Sequence, residues 1–82
     1  MKVRKARKLL SKTDAIQILT DDEDVVGTYI NVDSVPNKYD DWKVKGIGAL
    51  RPVSGEIIDD IEHNENFDSL TFPCLELYIG KK

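Results

Sequence analysis

The sequence has few of the residues that build most catalytic and metal sites. Its 82 residues include one cysteine, Cys74, and one histidine, His63. A single cysteine excludes an internal disulfide and a metal cluster held by several thiolates of one chain. A nucleophile and base pair would have to join Cys74, in an apolar strand pattern, to His63, in a polar segment. We therefore expect no enzyme activity, no bound metal and no cofactor.

Long apolar runs are also missing. No stretch approaches the roughly 18 apolar residues that a membrane-spanning helix requires. The charged start of the chain is not followed by the apolar core of a secretory signal peptide. These absences, and the single cysteine, predict a cytoplasmic protein that does not bind membranes.

The glycine and acidic clusters lack the spacing of known ligand sites. The pair Gly46 and Gly48 lacks the third glycine and the following helix of a dinucleotide-binding turn. The acidic run over 21–24 lacks the alternating acids, sixth-position glycine and twelfth-position glutamate of an EF-hand loop. Nucleotide and calcium sites are therefore unsupported by motif, and a bulge and a solvated turn explain these residues more simply.

Charge is divided unevenly along the chain. The net charge is −3, yet residues 1–12 contain six of the 12 basic residues and none of the 15 acidic ones. This division can steer partners, or it can dock the basic segment on the acidic remainder. We describe the chain as a basic helix or arm over 1–12 and an acidic body over 13–82, which together form one domain.

The apolar pattern predicts a small α+β fold. Residues 3–12 have helical spacing, and four later segments have the alternation of strands. The predicted elements are a helix over 3–12, strands over 15–20, 25–32, 42–50 and 73–79, and a short helix that begins near Ser54. We expect a mainly antiparallel four-stranded sheet with a short N-terminal helix and a short helix between the third and last strands. Helix should cover one face of this sheet, and the other face should be solvated.

Some local features refine this prediction. The acidic run over 21–24 interrupts two strand patterns and predicts a hairpin turn. The alternation of the third strand slips by one residue at Gly46, which indicates a bulge. Residues 51–73 are the least determined, since Ile57, Ile58 and Ile61 only suggest a helical face.

Binding to another protein is the first functional hypothesis. Tyr39 lies in a loop and is the aromatic side chain that we expect to be exposed, whereas Trp42 opens a strand and is expected in the core. The exposed sheet edge and the acidic loops would complete the surface. The predicted interaction residues are Tyr39, Asp40, Asp41, Asp21, Asp22, Glu23 and Asp24.

Two other functions stay open. A small nucleic-acid-binding protein would use the basic segment, although that segment has no aromatic residue to stack on bases. Its contacts would be Lys2, Arg4, Lys5, Arg7, Lys8 and Lys12. Alternatively, the acidic body would imitate a nucleic-acid backbone in the groove of an enzyme. The candidate phosphate surrogates are Asp21, Asp22, Glu23, Asp24, Asp40, Asp41, Asp59, Asp60, Glu62 and Glu65.

Self-association is a further expectation. If the last strand, over 74–79, lay at the edge of the sheet, two copies could pair through it and form a homodimer.

The order of elements resembles that of small orphan proteins from phages and prophages of low-GC Gram-positive bacteria. The resemblance rests on the Leu-Leu-Ser end of the first helix, the Gly27-Thr-Tyr29 step, the Val35-Pro36 turn, the Trp42-Lys-Val44 strand and the strand over 75–79. Residues 51–73 depart from it. The resemblance implies a phage accessory protein and assigns no role to any residue.

Overall fold

The chain folds into one mixed sheet with short helical segments around it. The computed structural model describes residues 1–81, and within them it contains two α-helices, three 3-10 turns and five strands. The helices and strands are α1 (Val3–Leu9), β1 (Ala15–Thr20), β2 (Val25–Tyr29), β3 (Lys43–Ile47), β4 (Arg51–Ser54), α2 (Glu65–Asp68) and β5 (Thr71–Gly80). The 3-10 turns are Val32–Ser34, Asn37–Tyr39 and Gly55–Ile57.

The sheet is centred on β1 and β5. Its order is β2-β1-β5-β3, and β4 pairs with β5 beyond the end of β3. The β1–β5 pair is parallel, with Ile18 opposite Leu77, and the other pairs are antiparallel. The α+β class is confirmed. The predicted four-stranded antiparallel sheet is close to this arrangement, but the apolar alternation did not reveal the fifth strand or the parallel pair.

β3 and β4 both pair with β5 and together form one edge strand, which is interrupted between Ile47 and Arg51. Val44 lies opposite Ile79, and Arg51 lies opposite Cys74. Between the two strands, the backbone N–H of Gly48 donates to the carbonyl of Glu76 at 2.8 Å. The register shifts between Val44 and Gly46, so the predicted bulge beside Gly46 is confirmed.

The main core lies between the sheet and α1. Val3 and Ala6, one helical turn apart, are the buried residues of α1. The segment over 32–39 covers the rest of this face. The buried residues of this core are Val3, Ile16, Ile18, Val32, Val35, Tyr39, Leu77 and Ile79. The basic segment is therefore part of the folded body, and α1 ends at Leu9 rather than at residue 12.

A smaller core occupies the opposite face of the sheet. Its buried residues are Ala15, Val53, Ile58 and Cys74, with Phe67 and Phe72 stacked at 4.9 Å beside them. Residues 15–19 of β1 are all buried, so this strand is covered on both faces. We expected a sheet with one solvated face, and that description is wrong for β1.

The helix predicted to begin at Ser54 is replaced by β4 and a single 3-10 turn. The Ser54 hydroxyl does cap this turn, since it accepts the N–H of Glu56 at 3.2 Å. A methyl group at Gly55 would lie 2.3 Å from the carbonyl oxygen of Phe67, so α2 packs directly against the turn. Ile58 then enters the small core in an extended conformation. The segment is shaped by these contacts rather than by its isoleucine spacing.

The predicted hairpin of β1 and β2 and the closing strand β5 are confirmed. β5, however, is central, because β1 lies on one side of it and β3 and β4 on the other. The expectation that residues 74–79 form a free edge is therefore wrong. The alternation identifies a strand but does not specify its neighbours.

Candidate functional site

Arg7 is the cation held most firmly against the body. Its side chain is 13% exposed, and its Nε donates to Asp40 Oδ1 at 2.7 Å. Its Nη1 donates to the carbonyl of Val32 at 2.8 Å, and Nη2 donates to the carbonyl of Pro36 at 3.0 Å. The planar guanidinium holds its donors in a fixed fork and satisfies three acceptors at once, an arrangement that the mobile ammonium of lysine does not reproduce. Arg7 therefore holds the segment over 32–40 against α1 through three hydrogen bonds.

Two further cations of the basic segment are paired at the surface. Arg4 contacts Asp41 at 2.8 Å, and Lys12 contacts Asp33 at 3.5 Å. Of the six cations expected to bind nucleic acid, three are thus directed at carboxylates of the segment over 33–41. Asp40 and Asp41, predicted as partner-binding residues, are engaged within the fold.

Tyr39 is not exposed as expected. Only 7% of its surface is accessible, and its ring meets that of Trp42 edge to face at 5.2 Å. Asn37–Tyr39 form a 3-10 turn that directs the tyrosine into the main core. A loop position between two charged residues suggested exposure, but the turn geometry decides where the ring lies. Trp42 is half-buried and packs against the same core, as expected.

Asp59 and Asp60, two of the candidate phosphate surrogates, cover the outer edge of β2. Asp59 Oδ2 accepts the N–H of Thr28 at 2.8 Å, and the N–H of Asp59 donates to the carbonyl of Thr28 at 2.7 Å. Asp60 Oδ1 accepts the N–H of Ile30 at 3.0 Å. Carboxylates on backbone donors at a sheet edge block pairing with another chain. These two acids therefore have a structural role.

The turn between β1 and β2 exposes four acids that form no ion pair within residues 1–81, together with apolar side chains. Asp21, Asp22, Glu23 and Asp24 are all exposed, and none of them joins an ion pair in that range. Val25 is 54% exposed and Val26 is 37% exposed. We call residues 21–26 the acidic turn. The sequence identified its charges but not its exposed valines, because their alternation resembled that of a covered strand.

Glu23 adopts a backbone conformation that is unusual for its residue type. Its φ is 65°, in the left-handed region, and its N–H donates to the carbonyl of Thr20 at 2.9 Å. Glycine or asparagine occupies such positions most readily, and another residue costs about 1–2 kcal/mol there. The acidic turn therefore has a glutamate where a glycine would relax the backbone.

A second charged surface is assembled around α1. Lys2, Arg4, Lys5 and Lys8 line an open depression of about 500 Å³. Lys2 forms an isolated bridge with Lys43 at the start of β3. Lys43 therefore lies beside the first residues of the chain. We call Lys2, Arg4, Lys5, Lys8 and Lys43 the basic cluster.

Sequence reasoning found only part of this cluster. Lys2 and the three cluster residues on α1 were among the predicted nucleic-acid contacts. Lys43 comes from a distant segment, and only the bridge between β3 and residue 2 places it beside α1. No local pattern in the sequence carries that information.

A polar row crosses the opposite face of the sheet. Gln17 is buried, and its Nε2 donates to Thr28 Oγ1 at 3.1 Å. Arg51 Nη2 donates to Gln17 Oε1 at 3.0 Å and contacts Glu76 Oε2 at 3.4 Å. The row is satisfied by its own members, as buried polar groups usually are. We therefore infer that this polar row stabilises the sheet.

The reactive side chains lie in unlike surroundings. Cys74 is fully buried, and this burial raises the pKa of its thiol, so the nucleophilic thiolate is disfavoured. His63 is exposed and bonded to Asp68 at 2.7 Å, a bond that raises the histidine pKa. Among residues 1–81, no hydrogen bond or ion pair joins His63 to Cys74. The geometry gives no reason to assign them a shared chemical step.

Residues 1–81 contain no group of three or more histidine, cysteine or acidic side chains positioned to hold a metal ion. No helix in that range has the length and apolar character needed to cross a membrane.

Comparison with known proteins found no matching family model, curated protein or solved structure.

Proposed function

We propose that the chain is a non-enzymatic protein-interaction module that binds its partner through the acidic turn. The observation that carries this proposal is the exposure of Val25 and Val26 beside four acids that have no ion-pair partner within residues 1–81. The other predicted interaction residues, Tyr39, Asp40 and Asp41, are buried or paired. The resemblance to phage and prophage orphans supports an accessory role in such an element.

The chemistry of the acidic turn defines the partner surface. Its carboxylates attract a basic surface over about 10 Å at moderate ionic strength and so accelerate encounter. Val25 and Val26 supply the apolar contact, and burying an exposed valine side chain contributes up to about 1.5 kcal/mol. A partner with a shallow apolar patch bordered by lysine or arginine fits both features. A basic groove on a nucleic-acid enzyme of the host is one such surface.

The cost at Glu23 supports the same proposal. A hairpin turn that served only to reverse the chain would be more stable with glycine at this left-handed position. The glutamate at this position keeps the run of acidic residues continuous on the exposed face of the turn.

The imitation of a nucleic-acid backbone by the whole acidic body is less well supported. Asp59 and Asp60 bond to the edge of β2, and Asp40 and Asp41 bond to arginines of α1. Four of the ten candidate surrogates are thus used inside the fold. The acidic turn remains as the part of that set most suited to a basic groove.

A capture experiment with matched variants tests the proposal. Tagged protein is incubated with lysate of the host, and the stoichiometric partner is compared among wild type, Asp21→Lys with Asp22→Lys, Val25→Ser with Val26→Ser, and Glu62→Lys. Glu62 is an exposed acid far along the chain and serves as the control. We expect both turn variants to lose the partner and the control to keep it. A partner retained by both turn variants, or lost equally by the control, would contradict the proposal.

A further inference from the structure

We infer that the basic cluster is a separate binding site for the phosphate backbone of duplex nucleic acid. This function goes beyond the proposed protein interaction, because it uses a different surface and a ligand of opposite charge. The fold brings five cations together on one surface, although the overall charge of the chain is −3.

The cations of the basic segment differ in how they meet the body. Arg7 is 13% exposed and bonded to Asp40, and Lys12 lies beyond the end of α1, where it contacts Asp33. Lys2, Lys5 and Lys8 are exposed and have no ion-pair partner within residues 1–81. The fold thus directs some cations of the basic segment at carboxylates of the body and leaves the others facing solvent.

One further cation comes from another segment of the chain. The bridge between Lys2 and Lys43 places the start of β3 directly beside the first residues of the chain. Arg4 also lines the depression, although its 60% exposed side chain contacts Asp41 as well. Two chain segments therefore contribute to one positive surface.

The basic cluster is longer than a single phosphate. Lys2 and Lys8 are six positions apart, which corresponds to about 9 Å along a helix. Lys43 lies beside Lys2 on a neighbouring strand, which adds about 5 Å across the surface. A single phosphate cannot contact cations so far apart. Duplex DNA carries one charge per roughly 1.7 Å of its axis, so a stretch of this length presents several phosphates.

The expected binding is electrostatic and without sequence preference. α1 has no aromatic side chain that could stack on bases. If four or five phosphates are neutralised, the logarithm of the binding constant should fall with the logarithm of salt concentration with a slope of about −4. Non-specific binding of this type has a dissociation constant of about 10⁻⁴–10⁻⁶ M at physiological salt.

The test is a titration of a labelled 20-base-pair DNA duplex, followed by fluorescence anisotropy between 50 and 300 mM salt. Wild type is compared with Lys5→Gln, Lys43→Gln and Lys12→Gln, and the folding of each variant is checked by Trp42 fluorescence and circular dichroism. Loss of one phosphate contact should weaken binding about tenfold at 50 mM salt and reduce the slope by about one. We expect these changes for Lys5→Gln and Lys43→Gln. Lys12→Gln, which removes the same charge from the same segment as Lys5→Gln, should leave the slope unchanged.

Several results would overturn the inference. Absence of binding at 50 mM salt would do so, as would an equal effect of Lys12→Gln and Lys5→Gln, which would indicate an unstructured arm. Binding to anionic lipid vesicles in the absence of DNA binding would assign the surface to membranes instead. Displacement of the duplex by inorganic tripolyphosphate at equal charge concentration would show that an extended ligand is not required. The capture experiment with acidic-turn variants is independent of all these outcomes, so the two proposals can fail separately.

Discussion

Replacement of Arg7 by methionine tests the central structural role assigned to the basic segment. Methionine keeps most of the aliphatic length of arginine and removes the guanidinium. The variant loses the bonds to Asp40 and to the carbonyls of Val32 and Pro36. It also leaves the Asp40 carboxylate, 21% exposed, without its charge partner.

The magnitude follows from the partial burial of the pair. A hydrogen bond to a charged group contributes about 1.5–3 kcal/mol, and three bonds from one group are not additive. Water can reach Asp40 after the change, which offsets part of the loss. We expect Arg7→Met to lower the free energy of unfolding by about 2–3 kcal/mol. The matched change Arg4→Met removes a pair whose members are 60% and 53% exposed, and such pairs contribute only about 0–0.5 kcal/mol.

Urea unfolding followed by Trp42 fluorescence measures both variants, because this tryptophan packs against the main core. With a typical urea dependence for a small domain, the midpoint of Arg7→Met should fall by about 1–2 M while that of Arg4→Met scarcely changes. A double-mutant cycle of Arg7 with Asp40 should give a larger coupling energy than the cycle of Arg4 with Asp41. Both variants remove one positive charge from α1. An equal loss in the free energy of unfolding would therefore refute the conclusion that Arg7 holds the segment over 32–40 in place.

Three further predictions concern the rest of the fold. Asp59→Ala should cost about 1–2 kcal/mol, because it leaves a backbone N–H of β2 unpaired, and it should cause concentration-dependent association in sedimentation experiments; a stable monomer would contradict the role of this acid at the edge. Gly55→Ala should lower the thermal midpoint, because its methyl group would lie 2.3 Å from a backbone oxygen of α2, whereas Gly46→Ala, with nothing within 4 Å, should not clash; equal shifts would refute the close approach. The pKa of His63, measured by NMR titration, should exceed its usual value and return toward it in Asp68→Asn. Since the folded-state pKa is raised, this pair stabilises the fold below the unfolded pKa of about 6.5 and loses its effect as pH rises through the folded pKa.

Local patterns predicted the elements whose stability depends on nearby residues. The hairpin of β1 and β2 follows from two alternating segments around a polar turn, and β5 follows from the alternation of Leu75, Leu77 and Ile79. The slip in alternation at Gly46 correctly located an irregularity in β3. In each case, the side-chain period and the turn residues are set within a few positions of the chain.

The candidate site was predicted only in part. The charges of the acidic turn and of α1 were evident from the sequence. The sequence did not indicate which of them would be used inside the fold, because Arg7 with Asp40 and Asp59 with Thr28 are pairs of residues about thirty positions apart. Tyr39 was expected to be exposed for the same reason: its burial depends on the core beneath the 3-10 turn.

The sequence by itself therefore determined the α+β class, the hairpin, the closing strand and the uneven division of charge. Tertiary structure alone decided the parallel pairing of β1 with β5, the extended path after Gly55 and the division of the basic segment into engaged and outward cations. The physical reason is the separation along the chain of the residues that each interaction joins. Side-chain alternation and turn preference act between neighbours in the chain, whereas ion pairing, edge capping and burial depend on segments that meet only after the sheet has formed.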